Sequence, residues 1–368
     1  MTQDEKYMRM ALNLARKGIG MTSPNPVVGA VLVKDGEIIG KGYHRGPCKL
    51  HAEAVALQGS GSKAAGATLY INLEPCCHTD KRTPPCTKEI IRYGIRRVVI
   101  GMEDPNPLVN GRGIRELADA GIEVDRGLLG KDASKLNEIY SKFISSGIPF
   151  VILKSAASLD GKIALQSGES RWITGKAARR YAHRLRSMVD AVLVGIGTVM
   201  TDDPLLNVRH VSSKGKQPVR IIVDSKLRIP PEPKALDTRS GQMTMVAATR
   251  SAPPGKLKEL EESGIKTVVV DSRGDGEVSI LSLMNTLGKS GITSILIEGG
   301  SEINASALHE GVVDKVVLIY SPRIIGGRDS ISIVGGPSPK SLDESVFLSD
   351  ISIRRLERDI MIEGYVVR

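Results

Sequence analysis

The chain has 368 residues, a formal charge of +10, 41% hydrophobic residues and only 3% aromatic ones. That length predicts two domains, with aliphatic side chains filling their cores. No apolar run reaches the roughly 18 residues of a membrane span, and the polar N-terminus lacks a signal-peptide segment, so a cytoplasmic protein with no membrane partner is expected. The basic excess suits a solvated surface or small phosphorylated ligands. Its spread along the chain and the scarcity of stacking aromatics argue against a nucleic-acid partner.

Met8, Ala11, Leu12 and Ala15 share one face of a helix predicted over 4–17, which Ser23-Pro24-Asn25-Pro26 ends. Residues 27–33 and 38–43 are apolar strand candidates joined at Asp35-Gly36, a hairpin signal. Residues 51–57 are Ala-rich and helical, 67–73 form a buried strand ending just before Cys76, and 87–93 form a helix that opens at Cys86. A strand over 97–102, a helix over 114–120 and a short strand at 122–124 complete an α/β pattern with helices covering a sheet. A polar helical stretch over 131–146 ends at Gly147-Ile148-Pro149, which separates a first domain (1–146) from a second (147–368).

The second domain alternates again. A strand at 150–154 and a helix at 176–186 precede strands at 191–194, 219–223, 243–247 and 267–270. A helix over 280–287 and a strand over 294–297 lead to Gly299-Gly300, which turns into a helix through 304–308. After a strand at 316–320, alternation in 351–356 and 360–367 predicts two late antiparallel strands.

The four cysteines, Cys48, Cys76, Cys77 and Cys86, cluster in the first quarter, which metal binding explains better than disulfides. His51, Cys76 and Cys86 supply one imidazole and two thiolates, and three protein ligands leave the fourth position of a tetrahedral zinc for water. Zn2+ lowers the pKa of that water toward neutrality. Glu53 is the carboxylate to shuttle its proton. H-x-E followed by P-C…C is the signature of zinc-dependent deaminases of amino-heterocycles. Cys76 follows the C-terminal end of a strand, where ligands collect in α/β sheets, and Cys86 sits at a helix N-terminus, which favours a thiolate. Cys48 and Cys77 are expected to be small buried residues.

The runs Ser23-Pro24-Asn25-Pro26-Val27-Val28-Gly29-Ala30, His51-Ala52-Glu53, Leu73-Glu74-Pro75-Cys76-Cys77-His78 and Arg82-Thr83-Pro84-Pro85-Cys86 resemble the deaminase domain of the bifunctional RibD family of riboflavin biosynthesis. Asp104-Pro105-Asn106-Pro107 and Gly111-Arg112-Gly113 match it as well. The long loop between Cys76 and Cys86 sets this family apart from cytidine and tRNA adenosine deaminases. The resemblance implies that Asn25, His44, His78 and one of Lys81 and Arg82 contact the pyrimidine or its ribose phosphate. The loop is one residue longer than the family's usual form, so the basic position falls on either Lys81 or Arg82.

In the second domain, Glu298-Gly299-Gly300-Ser301 closes a strand and opens a helix, and Gly195-Ile196-Gly197-Thr198 does the same. Each is either a phosphate-approach loop or a plain tight turn. Residues 154–164, 168–174, 197–198, 202–204 and 298–300 resemble the RibD reductase domain. That resemblance implies a cytidine-deaminase-like α/β/α domain followed by an α/β domain similar to dihydrofolate reductase, with NADPH as its cofactor. Ala156, Trp172, Thr198, Asp202, Ser225, Gly300, Ser301, Glu302, Ile303, Asn304, Ala305 and Ser306 would line the cofactor. Lys154, Ser170, Arg186, Leu206, Arg209 and Glu298 would meet the substrate. Guanidinium forks such as Arg186 and Arg209 suit a phosphate, and either Lys154 or Asp160 would protonate the opened sugar. The expected enzyme deaminates 2,5-diamino-6-ribosylamino-4(3H)-pyrimidinone 5′-phosphate and then reduces its ribosyl chain to ribityl. A homo-oligomer is expected. Two rivals are a nucleic-acid deaminase and a scaffold whose structural zinc takes Cys77 or Cys48 as fourth ligand.

Overall fold

The computed structural model describes residues 1–79, 84–211 and 216–367. The chain divides into two units, Met1–Gly147 and Ile148–Arg368.

The first unit runs α1 (Gln3–Ala15), β1 (Gly29–Lys34), β2 (Glu37–Tyr43), α2 (Ala52–Ser60), β3 (Thr68–Leu73), α3 (Cys86–Arg92), β4 (Arg97–Met102), α4 (Arg112–Asp119), β5 (Glu123–Arg126), α5 (Gly130–Leu136) and α6 (Glu138–Ser146). A reciprocal capping box starts α1: Thr2 Oγ1 accepts the Glu5 N–H at 3.2 Å, and Glu5 Oε2 accepts the Thr2 N–H at 3.0 Å. Asp35 (φ 50°) and Gly36 (φ 79°) both take left-handed backbone, as a tight hairpin turn between β1 and β2 requires. The strand order is β2-β1-β3-β4-β5, with β1 antiparallel to both neighbours and β3, β4 and β5 parallel.

Helices cover both faces, which explains why β1 and β3 read as continuous apolar runs. Ala30, Leu32, Leu69 and Ile71 pack with Ala56 and Leu57 of α2 and Ile90 of α3. Their chain neighbours Val31, Val33 and Tyr70 point the other way, onto Met8 and Leu12 of α1. The polar stretch after β5 is broken at Asn137 into α5 and α6 rather than forming one helix.

The second unit contains β6 (Phe150–Ser158), β7 (Lys162–Ala164), α7 (Lys176–Arg186), β8 (Ala191–Gly195), α8 (Ile196–Asp202), β9 (Val219–Val223), β10 (Thr244–Ala248), α9 (Pro254–Glu262), β11 (Lys266–Val269), α10 (Ile280–Lys289), β12 (Ser294–Ile297), α11 (Ser301–His309), β13 (Lys315–Ser321), β14 (Ile331–Ser332), β15 (Leu348–Leu356) and β16 (Asp359–Val366). Nine strands form one sheet in the order β11-β10-β9-β8-β12-β6-β13-β16-β15, and β14 pairs with β7 separately. The strands from β11 to β13 run parallel, and β16 and β15 add as an antiparallel edge, as their alternation predicted. Sequence patterning misses β7, α8, α9 and β14. The reason is clear for α9, which buries no residue and so carries no apolar stripe. No described helix is long and apolar enough to cross a membrane.

Candidate functional site

In the first unit, three chain segments converge beyond the end of β3. The buried Glu74 carboxylate accepts N–H groups from Asp104 (3.1 Å), Gly111 (3.0 Å) and Ile114 (3.2 Å), which fastens the loop after β4 to the strand end. Only glycine fits at position 113, because a Cβ there would lie 2.2 Å from the Pro75 carbonyl oxygen. This packing sets the backbone that presents Cys76. Cys86 is the first residue of α3, and His51 is the N-cap of α2 in extended backbone. His51 Nδ1 lies 3.2 Å from Cys86 Sγ and 3.5 Å from Cys76 Sγ.

The three ligand atoms fall within 4.8 Å of one another. Zinc bonds of about 2.0 Å to nitrogen and 2.3 Å to sulfur in a tetrahedron separate the ligand atoms by about 3.5–3.8 Å, so the donor set fits that ion. Among the described residues neither other cysteine joins it. Cys77 Sγ lies 3.9 Å from the Leu108 carbonyl oxygen. Cys48 is exposed with φ 61° and Cys77 is only half-buried, so neither is the small buried residue expected. A three-ligand set leaves a position open and does not match a closed structural site.

Glu53 begins α2 and is 3% exposed. Its Oε2 has no hydrogen-bond partner among the described residues. Burial pushes its carboxyl up, and the Cys76 sulfur adds to that while His51 opposes it. An orphaned acceptor beside three ligand atoms is where a proton-shuttling carboxylate would stand. Asn25 Nδ2 is 3.2 Å from His44 Nε2, and His44 Nδ1 is 3.2 Å from the Leu50 carbonyl oxygen. The His44 ring meets that of His51 edge-on at 5.3 Å. Burial pulls the His44 pKa down, against the Leu50 carbonyl, and so favours the neutral ring. His78 Nδ1 is buried and lacks a partner among the described residues. Lys81 and Arg82 lie outside the described residues.

The second unit holds a cleft of about 1120 Å³ beside the carboxyl ends of β6, β8 and β12. Its centre is a buried ion cluster. Arg186 forks onto Glu298 with bonds of 2.7 and 2.9 Å, and Lys154 Nζ stands 3.9 Å from the same carboxylate. Burial alone would raise Glu298, but Arg186 and then Lys154 outweigh it and bring its pKa down to about 2. Burial lowers the Lys154 pKa, opposed by Glu298 and assisted by Arg186. His183 is pulled down to about 4 by burial and by Arg186, Arg209 and His210. Ser170 donates to Asp202 at 3.1 Å, and the half-exposed Trp172 ring carries Arg179 at 4.4 Å.

The cleft brings together Lys154, Ala156, Ser170, Trp172, Arg186, Thr198, Asp202, Arg209, Glu298 and Gly300 to Ile303. Five expected residues do not line it. Leu206 is buried, and Ser225 is buried with its hydroxyl donated to Glu277 at 2.7 Å. Asn304 is fully buried and donates to the Ile333 carbonyl at 2.8 Å. Ser306 Oγ accepts from Arg273 at 2.8 Å, and Ala305 lies between them on α11.

A model of the RibD C-terminal domain matches residues 149–362, and one of the cytidine and deoxycytidylate deaminase zinc-binding region matches residues 1–102. Riboflavin biosynthesis protein RibD of Actinobacillus pleuropneumoniae is 42% identical over 364 residues, covering 99% of this chain and 96% of its own. The chain belongs to the RibD family. Among solved structures, Acinetobacter baumannii RibD (form 1) superposes with a TM-score of 0.88 at 36% identity, covering 100% of this chain and 99% of that one. A Thermotoga maritima diaminohydroxyphosphoribosylaminopyrimidine deaminase/5-amino-6-(5-phosphoribosylamino)uracil reductase gives 0.86 at 35% identity, with 99% of both chains covered.

As a RibD enzyme the chain is a bifunctional deaminase and reductase of riboflavin biosynthesis. It has a zinc-binding deaminase region, and its reductase domain implies a nicotinamide cofactor. The fold is the expected pair, a cytidine-deaminase-like domain and a dihydrofolate-reductase-like one. Several cleft residues escaped the sequence reading, two of them on α7. Arg179 and His183 line the cleft with Arg186. They precede Arg186 on α7 by seven and three residues, so helical spacing from that arginine would have found them. Asp160, one of two candidates for a proton donor, is not among the cleft residues. Its carboxylate accepts the Ile325 and Gly326 N–H groups at 3.0 and 2.7 Å, and its pKa is held at about 2, chiefly by a hydrogen bond from Ser158.

Proposed function

We propose that the Met1–Gly147 unit deaminates 2,5-diamino-6-ribosylamino-4(3H)-pyrimidinone 5′-phosphate, and that the Ile148–Arg368 unit then reduces the ribosyl chain with NADPH to give 5-amino-6-ribitylamino-uracil 5′-phosphate. The observation that carries this reading is the pairing, in one RibD chain, of an open His-Cys-Cys cluster with an orphaned buried carboxylate and a cation-rich cleft.

His51, Cys76 and Cys86 would hold zinc, which when bound supplies Lewis-acid activation of water. Glu53 takes one water proton at its orphaned Oε2 and gives it to the ring nitrogen, then carries the proton of the added hydroxyl to the amine, which leaves as ammonia. Its buried, upward-shifted carboxyl is suited to hold that proton between steps. Asn25 offers an amide to the donor–acceptor edge of the pyrimidine. Burial favours the neutral form of His44, in which one ring nitrogen accepts while the other donates. His78 and one of Lys81 and Arg82 reach the ribose phosphate.

In the second unit the nicotinamide, when bound, supplies the reducing electron pair. Arg209 is the cation for the substrate phosphate, since Arg186 is already committed to Glu298. Lys154, with its lowered pKa, gives a proton to the sugar ring oxygen as the ring opens. Ala156, Trp172, Thr198, Asp202 and Gly300 to Ile303 would hold the cofactor, and the N–H groups that open α11 would suit its phosphates. The choice of NADPH over NADH rests on family membership.

A homo-oligomer is proposed as well. Phe347 (74% exposed), Ile351 (57%) and Ile353 (67%) lie on or beside β15, the edge strand of the nine-stranded sheet, where a second copy would cover them. Sedimentation of the purified protein as a monomer would remove this part. Zinc-free protein that deaminates, or Glu53→Gln at wild-type rate, would overturn the first reaction. NADPH left unoxidised with the deaminated phosphate would overturn the second.

A further inference from the structure

We propose that Asn72 and Asn137 are positioning residues of the deaminase site, clamping Val27 and thereby setting where Asn25 and His44 stand. The proposal rests on the deaminase reading above.

The segment before β1 makes one local turn, in which the Asn25 N–H donates to the Thr22 carbonyl at 2.8 Å, but nothing in that turn holds Val27. Pro24 and Pro26 have no N–H to give, and the β1 ladder starts only at Gly29. Val27 is nevertheless 8% exposed, so its backbone groups need partners away from water. Two buried amides supply them from distant parts of the chain. Asn137, at the junction of α5 and α6, accepts the Val27 N–H at 2.9 Å and donates to the Val27 carbonyl at 3.2 Å. Asn72, fully buried on β3, donates to the same carbonyl at 3.0 Å and accepts the Gly29 N–H at 2.8 Å. Each amide orientation follows from the network, because a backbone N–H must face oxygen and a carbonyl must face NH₂.

The clamp continues to the site. The carbonyl of Val28 accepts the His44 N–H at 2.9 Å, and Asn25, two residues before Val27, sits 3.2 Å from the His44 ring. His44 in turn meets His51 edge-on. Asn72 places an amide inside a buried strand, and an apolar residue there would leave the Gly29 N–H without its partner and the Val27 carbonyl with one donor instead of two.

The test is steady-state kinetics of the zinc-loaded full chain with the diaminopyrimidine phosphate, for Asn137→Ala, Asn25→Ala and the double variant. Loss of the clamp should raise KM for deamination on the order of tenfold, with kcat and zinc content held. On the Asn25→Ala background Asn137→Ala should add little, because both act on the same contact. Amide exchange in residues 22–29 should quicken in Asn137→Ala, and reductase activity should not change. Independent, multiplying KM effects would overturn the proposal, as would unchanged KM despite faster exchange, or loss of zinc and kcat together. Should Asn137→Ala fail to fold, Asn137→Leu, which keeps the side chain's shape and makes neither bond, carries the same kinetic expectation. A wild-type chain that does not deaminate this substrate would refute the parent reading, leaving the exchange result to judge the clamp.

Discussion

Replacing Glu298 by glutamine removes the one carboxylate between Arg186 and Lys154 while keeping the side chain's shape. Both cations are largely buried, with side-chain exposures of 12% and 13%. The wild-type carboxyl sits at about 2 in place of its ordinary 4.5, and at roughly 1.4 kcal/mol per pKa unit that displacement is worth about 3 kcal/mol of folding stability. Breaking a buried pair by removing one partner costs about 3–5 kcal/mol in general, which agrees. In a unit of this size each kcal/mol moves Tm by about 2–4 °C, so Glu298→Gln should lower Tm by about 6–12 °C at neutral pH. The only tryptophan, Trp172, lies in the second unit, so its fluorescence isolates that unit's transition. Because the folded carboxyl titrates below its unfolded value, the wild type keeps this stabilisation above about 4.5 and loses it as pH falls toward about 2. The gap between wild type and variant should therefore be constant from pH 7 down to about 4.5 and narrow below it. A variant melting within about 1 °C of wild type at neutral pH would refute the reasoning.

Glu53→Gln should retain zinc by elemental analysis and lose deamination by about 10²–10⁴-fold, with NADPH oxidation unaffected. Cys86→Ser should lower zinc content and deamination together, again sparing the reductase, and a chelator should act on the wild type in the same way. Lys154→Met should cut kcat for reduction by on the order of 10²-fold, whereas Asp160→Asn should leave kcat within a few-fold and affect mainly the loop it caps. His183 titrates at about 4 when folded and at its ordinary 6.5 when unfolded. Stability should be full above the unfolded value and fall as pH drops from 6.5 toward 4, and urea unfolding of His183→Gln should show that slope flattened.

The His51–Cys76–Cys86 cluster was legible before folding because its residues come in tight motifs: His51 two residues before Glu53, and a proline before each of Cys76 and Cys86. Strands such as β3 and β8 were legible for a related reason, since a run buried on both faces is apolar throughout. The reductase cleft was harder to read, because its side chains come from β6, α7, α8, α11 and the loops around them.

By itself the amino-acid sequence determined the two-unit α/β plan, the zinc-deaminase chemistry and the membership of both halves in one family, because each is written in local spacing or apolar periodicity. Tertiary structure alone decided which polar groups face ligand and which face protein. It turned Asn304 inward to Ile333, tied Asp160 to Gly326 and left Lys154 beside Glu298. It also placed Asn72 and Asn137 on Val27, 45 and 110 residues away in the chain. The physical reason is that a hydrogen bond is settled by which donors and acceptors burial brings within about 3 Å, and no spacing along the chain encodes a partner so distant.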